Sequence, residues 1–443
     1  MILSDGIIGS IFISDEVHHH YETSLWVELI LKVESALARA QAELDIIPQE
    51  AATAIGSLEP PQFDFGRLKN RTAEVGFPIV AIVEQIAEVL DDGLGQYVHW
   101  GATTQDVIDT VQALQVSSSM DRLEQTLLAV GDRLAGLADA ERATLMLARS
   151  QGQAALPTTF GLRAAGWLSG ITRHLQRLGE TRNRVRLLQL SGAVGTAASF
   201  GPRAEEVHAK VAERLGLEPA PVNWHTQRDK LTEVGSVYAG IAGSLGKIGL
   251  DVASASQSGI GELSEVPRGT SSGTSSTMPQ KQNPILSQQL MQNARIVRAL
   301  SPLLVEALVT DHDRGMGIWP VEWFALPQVM ALTETSALKT QQLLTTLTLD
   351  RDALAANLAQ ESGIMAEAVM MSLAGDLGRQ EAHDRLIDII RSHPDLSLRD
   401  ALAAEEVDVD PEVLDPSSYL GTTERQIDEA IAGFERVAAG RRN

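Results

Sequence analysis

Gly269-Thr-Ser-Ser-Gly-Thr-Ser-Ser-Thr-Met-Pro-Gln-Lys-Gln-Asn-Pro284 is the stretch around which the rest of the chain can be read. Gly269 and Gly273 make it conformationally permissive. Asn283 suits a helix N-cap and Pro284 a first helical position, so a helix is predicted to start there. A helix start offers free backbone N–H groups and a partial positive charge to an anion. Lys281 adds a full charge, and Ser271, Ser272, Ser275 and Ser276 supply hydroxyls. These residues suit a loop that closes over a carboxylate and moves a proton. A solvated Gly/Ser linker would share the first half of the stretch, but seldom ends in Met-Pro-x-Lys-x-Asn-Pro.

Composition bounds the surroundings. The 443 residues are enough for two or three domains. Hydrophobic residues make up 44% and aromatic residues 4%, so the core is built from Leu, Ile, Val and Ala, which favours closely packed helices. The net charge of −22 argues against nucleic acid or an anionic membrane as partner. It also makes each cluster of Lys and Arg informative about an acidic substrate. The chain has no cysteine, hence no disulfide, thiolate metal site or cysteine nucleophile. The start of the chain lacks the pattern of a signal peptide, and no run of about 18 residues is free of strong polarity. A cytoplasmic enzyme is expected.

Working outward, His18-His19-His20 reads as a surface turn, because three adjacent histidines cannot share one metal on a helix. From Leu25 the spacing of Leu29, Val33, Leu37, Ala40 and Leu44 predicts a helix that stops near Pro48. In His99-Trp-Gly-Ala-Thr-Thr-Gln-Asp-Val-Ile-Asp-Thr110, Gly101 breaks the chain and Thr103 or Thr104 caps a helix. Hydroxyls and an amide at a helix start can hold a carboxylate, although an ordinary capped helix has the same wording. Long helices are predicted for Val111 to Leu147 and for Leu162 to Leu190. A small-residue turn follows at 192–202, then a helix to Leu215.

Asn223-Trp-His-Thr-Gln-Arg-Asp229 sets a histidine, an amide and a guanidinium just before another helix. Arg228 suits two-pronged pairing with a carboxylate, or a structural ion pair with Asp229. Along 231–256, Gly240, Gly243, Gly246 and Gly249 recur every third residue. Each costs about 1 kcal/mol in a helix relative to Ala, so close approach of a neighbour must offset them. That predicts a central helix of a tight bundle. Ile285 to Leu308 reads as a helix kinked at Pro302. His312 and Arg314 fall at a break before a helix from Val321 to Leu347. Beyond Asp350, shorter helices and an acidic run suggest a small C-terminal domain.

The loop from Ser275 to Pro284 resembles the signature of the fumarase/aspartase superfamily, Gly-Ser-Ser-x-Met-Pro-x-Lys-x-Asn-Pro, with Thr274 where Gly is usual. His-x-Gly-Ala-Thr-x-Gln-Asp and Trp-His-Thr-Gln-Arg-Asp resemble most the branch containing 3-carboxy-cis,cis-muconate cycloisomerase. Many superfamily members carry Arg-Thr-His-Gly-x-His where this chain has Arg149-Ser-Gln-Gly-Gln-Ala154. Gln151 and Ala154 thus replace both histidines, which speaks against an adenylosuccinate-lyase-like site. Ile-Trp-Pro-Val-Glu-Trp at 318–323 departs from the branch's Leu-Trp-His-Ala-Glu-Trp at Pro320.

The resemblance implies an all-α subunit of three domains, with an N-terminal helical domain at 1–110, a central bundle of long helices at 111–350 and a small C-terminal domain at 351–443. It implies a homotetramer formed through the central helices, with each site built from three subunits. It implies a small di- or tricarboxylate substrate, with no metal and no other cofactor. By the same resemblance Ser275 and Lys281 are catalytic. Thr103, Thr104, Gln105, Ser150, Gln151, His225, Gln227, Arg228, Asn283, His312 and Arg314 bind substrate. The reaction implied is closure of 3-carboxy-cis,cis-muconate to a carboxymuconolactone in aromatic-acid breakdown. The alternatives are a C–N lyase releasing fumarate from a substituted succinate, and a non-catalytic homologue, against which intact Ser275, Lys281 and Asn283 argue.

Overall fold

The structure is a computed structural model and describes residues 6–90, 92–265, 273–360 and 363–442. Gly269, Ser271 and Ser272 of the loop lie outside the described residues. The chain divides into two units, one of residues 1–126, 176–243 and 292–338, the other of 127–175, 244–291 and 339–443. All the boundaries fall inside long helices.

The first unit contains α1 (Thr23–Glu43), whose apolar spacing follows the predicted stripe. Ile30, Leu37 and Ala40 are fully buried with Ile82, Ile86 and Val111 in one core. Helix α2 (Thr104–Ala140) starts where expected. Its entry is fixed by the Asp106 carboxylate, which accepts the Thr103 N–H at 3.1 Å, the reciprocal half of a capping box.

The long helix predicted to Leu147 ends earlier. Leu145–Ser150 (β1) and Gln153–Thr159 (β2) form an antiparallel hairpin. The apolar run Leu145-Met-Leu147 is compatible with either helix or strand, and the turn decides. Gln151 and Gly152 have φ of 54° and 76°, as a two-residue hairpin loop requires. The fold is therefore largely helical, with this short hairpin inserted between two long helices. A second two-stranded ladder pairs β3 (Leu263–Ser264) with β4 (Thr348–Leu349).

Helix α3 (Phe160–Val185) stops five residues before Leu190, because Leu188 and Arg186 exchange backbone hydrogen bonds with Glu218. Helix α4 (Ala204–Leu215) and helix α5 (Asp229–Ala255) follow the predicted spans. The glycine reading of α5 holds in its second half, where a Cβ on Gly249 would lie 2.8 Å from the Ser287 carbonyl oxygen. It does not hold at Gly243, where a Cβ would make only an ordinary contact at 3.9 Å. Helix α6 (Ile285–Leu300) and helix α7 (Pro302–Glu306) are separated at Ser301, where the kink was expected. Helix α8 (Pro320–Thr346) completes the long set, and shorter helices build the end of the chain. Among the described residues no helix is long and apolar enough to cross a membrane.

Candidate active site

In the first unit the predicted residues gather around two buried carboxylates on the first turns of α2. Asp106 and Asp109 are three residues apart and share one helix face. Asp106 accepts from the Ser191 and Gly192 N–H groups at 2.9 Å each, and from His225 Nε2 at 2.9 Å. His225 is fully buried, its Nε2 is committed to Asp106, and its Nδ1 has no hydrogen-bond partner. Gln105 donates to the His225 carbonyl at 2.8 Å and to Asp109 at 3.2 Å, which leaves its Oε1 unpaired.

Arg228, read as a receptor for a substrate carboxylate or as the partner of Asp229, has its fork filled from elsewhere. It donates to both oxygens of Asp109 at 2.7 and 2.9 Å, and to both oxygens of Glu322, at 2.9 Å through Nε. Burial alone would lower its pKa, but Asp109 and Glu322 outweigh it and raise the value. Trp319 adds an Nε1–H bond to Asp109 at 3.2 Å. Beside this triad, the Lys230 ammonium lies 3.7 Å from the centre of the Trp224 ring with no hydrogen-bond partner. Burial, and then the neighbouring Arg228 charge, push its pKa down to about 7.

Arg314 and Thr103 are brought together across the chain. Arg314 Nη1 donates to Thr103 Oγ1 at 2.9 Å and Nη2 to the Ala193 carbonyl at 2.9 Å, while Nε is buried without a partner. Thr104 opens α2, Gln227 is exposed, and His312 sits exposed in a left-handed backbone conformation with φ of 54°. Five unpaired buried polar atoms therefore crowd this region: Gln105 Oε1, His225 Nδ1, Lys230 Nζ, Arg314 Nε and Trp323 Nε1. Such atoms are rare in folded proteins and mark places where a ligand or water completes the bonding.

In the second unit Ser150 and Gln151 form the exposed tip of the hairpin. Arg149, at its base, is locked bidentately to buried Glu262 at 2.7 and 2.9 Å. On the signature loop, the Thr277 and Met278 N–H groups both point at Ser275 Oγ, at 3.4 and 3.2 Å. Two such donors favour an alkoxide at Ser275. Lys281 is exposed and its ammonium makes no ion pair among the described residues.

Asn283 does not cap α6. Its backbone N–H and its Nδ2 both donate to the Gly273 carbonyl, at 2.8 and 3.0 Å. Nor is the start of α6 free for an anion, because Glu265 already accepts the Leu286 and Ser287 N–H groups. The sequence motifs assign no role to Glu265, Asp106, Asp109, Glu322 or Lys230. The i, i+3 spacing of the two aspartates was the one local signal available, since the other partners come from distant segments. Among the described residues no group of three or more His, Asp and Glu is placed to hold a metal.

Comparison with known proteins agrees with the fold. The Lyase family matches residues 13–298. Trans-aconitate decarboxylase 1 of Mycosarcoma maydis is 36% identical, over 97% of this chain and 89% of that one. The 3-carboxy-cis,cis-muconate cycloisomerase of Pseudomonas aeruginosa is 37% identical, over 92% of each chain. The crystal structure of 3-carboxy-cis,cis-muconate lactonizing enzyme from Pseudomonas putida superposes with a TM-score of 0.89 at 32% identity, covering 97% of this chain and 98% of that chain. With the signature loop, the Asp106 and Asp109 carboxylates and this match over nearly its whole length, the chain belongs to the Lyase family, within the fumarase/aspartase superfamily.

Proposed function

We propose that the protein is a cycloisomerase closing 3-carboxy-cis,cis-muconate to a carboxymuconolactone. A carboxylate oxygen of the substrate attacks the far carbon of a double bond and forms the ring C–O bond. The displaced electron pair moves to the neighbouring carbon and spreads into the carboxylate attached there. The Ser275 hydroxyl then delivers its proton to that carbon, and solvent reprotonates the serine. The observation that carries this reading is the pair of N–H groups aimed at Ser275 Oγ, which makes a serine a credible proton carrier. Lys281 supplies positive charge for the carboxylate that gains electron density. The same reading gives a substrate carboxylate to Thr103 and Arg314, supported by the Arg314 Nε that is left without a partner. The step invokes neither metal nor cofactor.

The same reading takes the subunit as three domains, at 1–110, 111–350 and 351–443, assembled into a homotetramer through the central helices. A second reading has support of its own, because trans-aconitate decarboxylase 1 is about as similar to this chain as the cycloisomerase is. The test is the ultraviolet absorbance of 3-carboxy-cis,cis-muconate mixed with protein. Ring closure shortens the conjugated diene, so the band falls, and Ser275→Ala abolishes the decay. No decay with the unaltered protein rejects the cycloisomerase. Release of carbon dioxide from trans-aconitate, or of fumarate from substituted aspartates, would then separate the alternatives.

A further inference from the structure

The carboxylate of Glu265 fills the place that the sequence reserves for a substrate anion, and it does so from inside the protein. One oxygen accepts the Leu286 N–H at 2.8 Å; the other accepts the Ser287 N–H at 2.9 Å and the Ser287 hydroxyl at 2.8 Å. The residue is 3% exposed. A buried carboxylate with three donors is a permanent structural contact, because releasing it would leave a charge and two N–H groups unpaired. Its own backbone is anchored as well. The Glu265 carbonyl accepts Thr346 Oγ1 at 2.5 Å, directly after the ladder of β3 with β4.

From the first turn of α6 the contact passes back to the loop in two steps. Asn283 holds the Gly273 carbonyl through both its backbone N–H and its side-chain amide. Thr274 pairs with Gln282, and Ser275 follows directly. The approach at Gly273 leaves no slack, since a Cβ there would lie 2.3 Å from the Asn283 carbonyl oxygen. Gly273 also has φ of 73°, which favours glycine in any case.

We propose that Glu265 is the positioning residue of the signature loop. By capping α6 with a negative charge it fixes Asn283, hence Gly273, and hence the turn in which Ser275 Oγ meets the Thr277 and Met278 N–H groups. It also consumes the partial positive charge of the helix start, so that the substrate's carboxylate depends on Lys281. This inference rests on the reading that Ser275 carries the proton, but the contact itself is measurable without substrate.

The test compares Glu265→Gln and Ser287→Ala with the unaltered full chain. Glutamine keeps one acceptor oxygen and turns an amide donor against the remaining N–H groups. Hydrogen exchange at the Leu286, Ser287 and Met278 amides should accelerate in Glu265→Gln, with the melting midpoint lowered by only a few degrees and the chain still folded. On 3-carboxy-cis,cis-muconate, kcat should fall roughly ten- to a hundredfold, as expected for misplacement of a reacting group from a distance. KM should change by less than about threefold, because the substrate-contacting groups remain. Ser287→Ala removes one contact of three and should lie between. Faster exchange at Leu286 and Ser287 with Met278 unchanged would overturn the proposed transmission to Ser275. Unchanged exchange at all three amides, or a loss of kcat matched by a loss of folded protein, would overturn the proposal outright. If the unaltered protein does not turn over this substrate, the cycloisomerase reading fails, while the exchange data still decide the role of Glu265.

Discussion

The network around Asp106 and Asp109 and the loop around Ser275 are built on opposite principles. In the network, Arg228, Asp109, Glu322, His225 and Asp106 are buried and hold one another through several hydrogen bonds each. On the loop, Lys281 is exposed and, among the described residues, the Ser275 hydroxyl is met only by two long backbone contacts. The difference separates two meanings of a motif residue. A guanidinium saturated by two carboxylates preorganises its surroundings and has nothing left for a ligand. A lightly held hydroxyl that accepts from two backbone N–H groups can change protonation state. Sites of this kind place reactive groups over rigid support.

If that division is right, Ser275→Ala will lower kcat by roughly 10² to 10⁴-fold, the usual range for loss of a proton-transferring group. Its melting midpoint should hardly move, because the residue lies on a half-exposed loop. A large loss of stability instead would break the comparison from the loop side.

Arg228→Met is the converse. It leaves Asp109 and Glu322 buried and facing each other, which costs about 3–5 kcal/mol. Adding Asp109→Asn should recover part of the loss, and denaturant titration of the single and double variants measures the coupling. A destabilisation within experimental scatter would show that Arg228 is free to serve a ligand after all.

Lys230 sharpens the comparison through pH. Its folded pKa is about 7 against 10.5 unfolded, so the folded state binds fewer protons between those values. Stability should therefore rise with pH from about 7 towards 10.5, and the cost of the buried ammonium, on the order of a few kcal/mol, should be complete below 7. Lys230→Met should stabilise the protein at pH 6 and flatten that window, as read from urea midpoints at several pH values.

The smallest effect is expected at the hairpin tip. Gln151 has positive φ, and Gln151→Asn places the preferred Asn-Gly pair in the turn, a gain of about 0.5 kcal/mol. An unchanged KM would remove Gln151 from the substrate contacts. A raised KM would keep it there and extend the loop-like behaviour to the hairpin.

How far the sequence could be read follows from the range of the interactions involved. The helical class, the kink at Pro302, the start of α2 and the motif of the signature loop are all legible from neighbours within a few residues. Apolar spacing, a ring on the backbone and a capping side chain act locally, so they show in the chain itself. The hairpin at 145–159 was hidden because a short apolar run fits either periodicity until Gln151 and Gly152 adopt positive φ. The roles within the motifs were hidden more deeply. That Arg228 faces Asp109 and Glu322, that Asp106 holds the turn at Ser191 and Gly192, and that Glu265 caps a helix beginning twenty residues later depend on segments far apart in the chain. The sequence by itself determined which groups are available and which elements carry them. Only tertiary structure decided which of those groups are already spent on one another, because desolvation and pairing are set by what folds against each side chain.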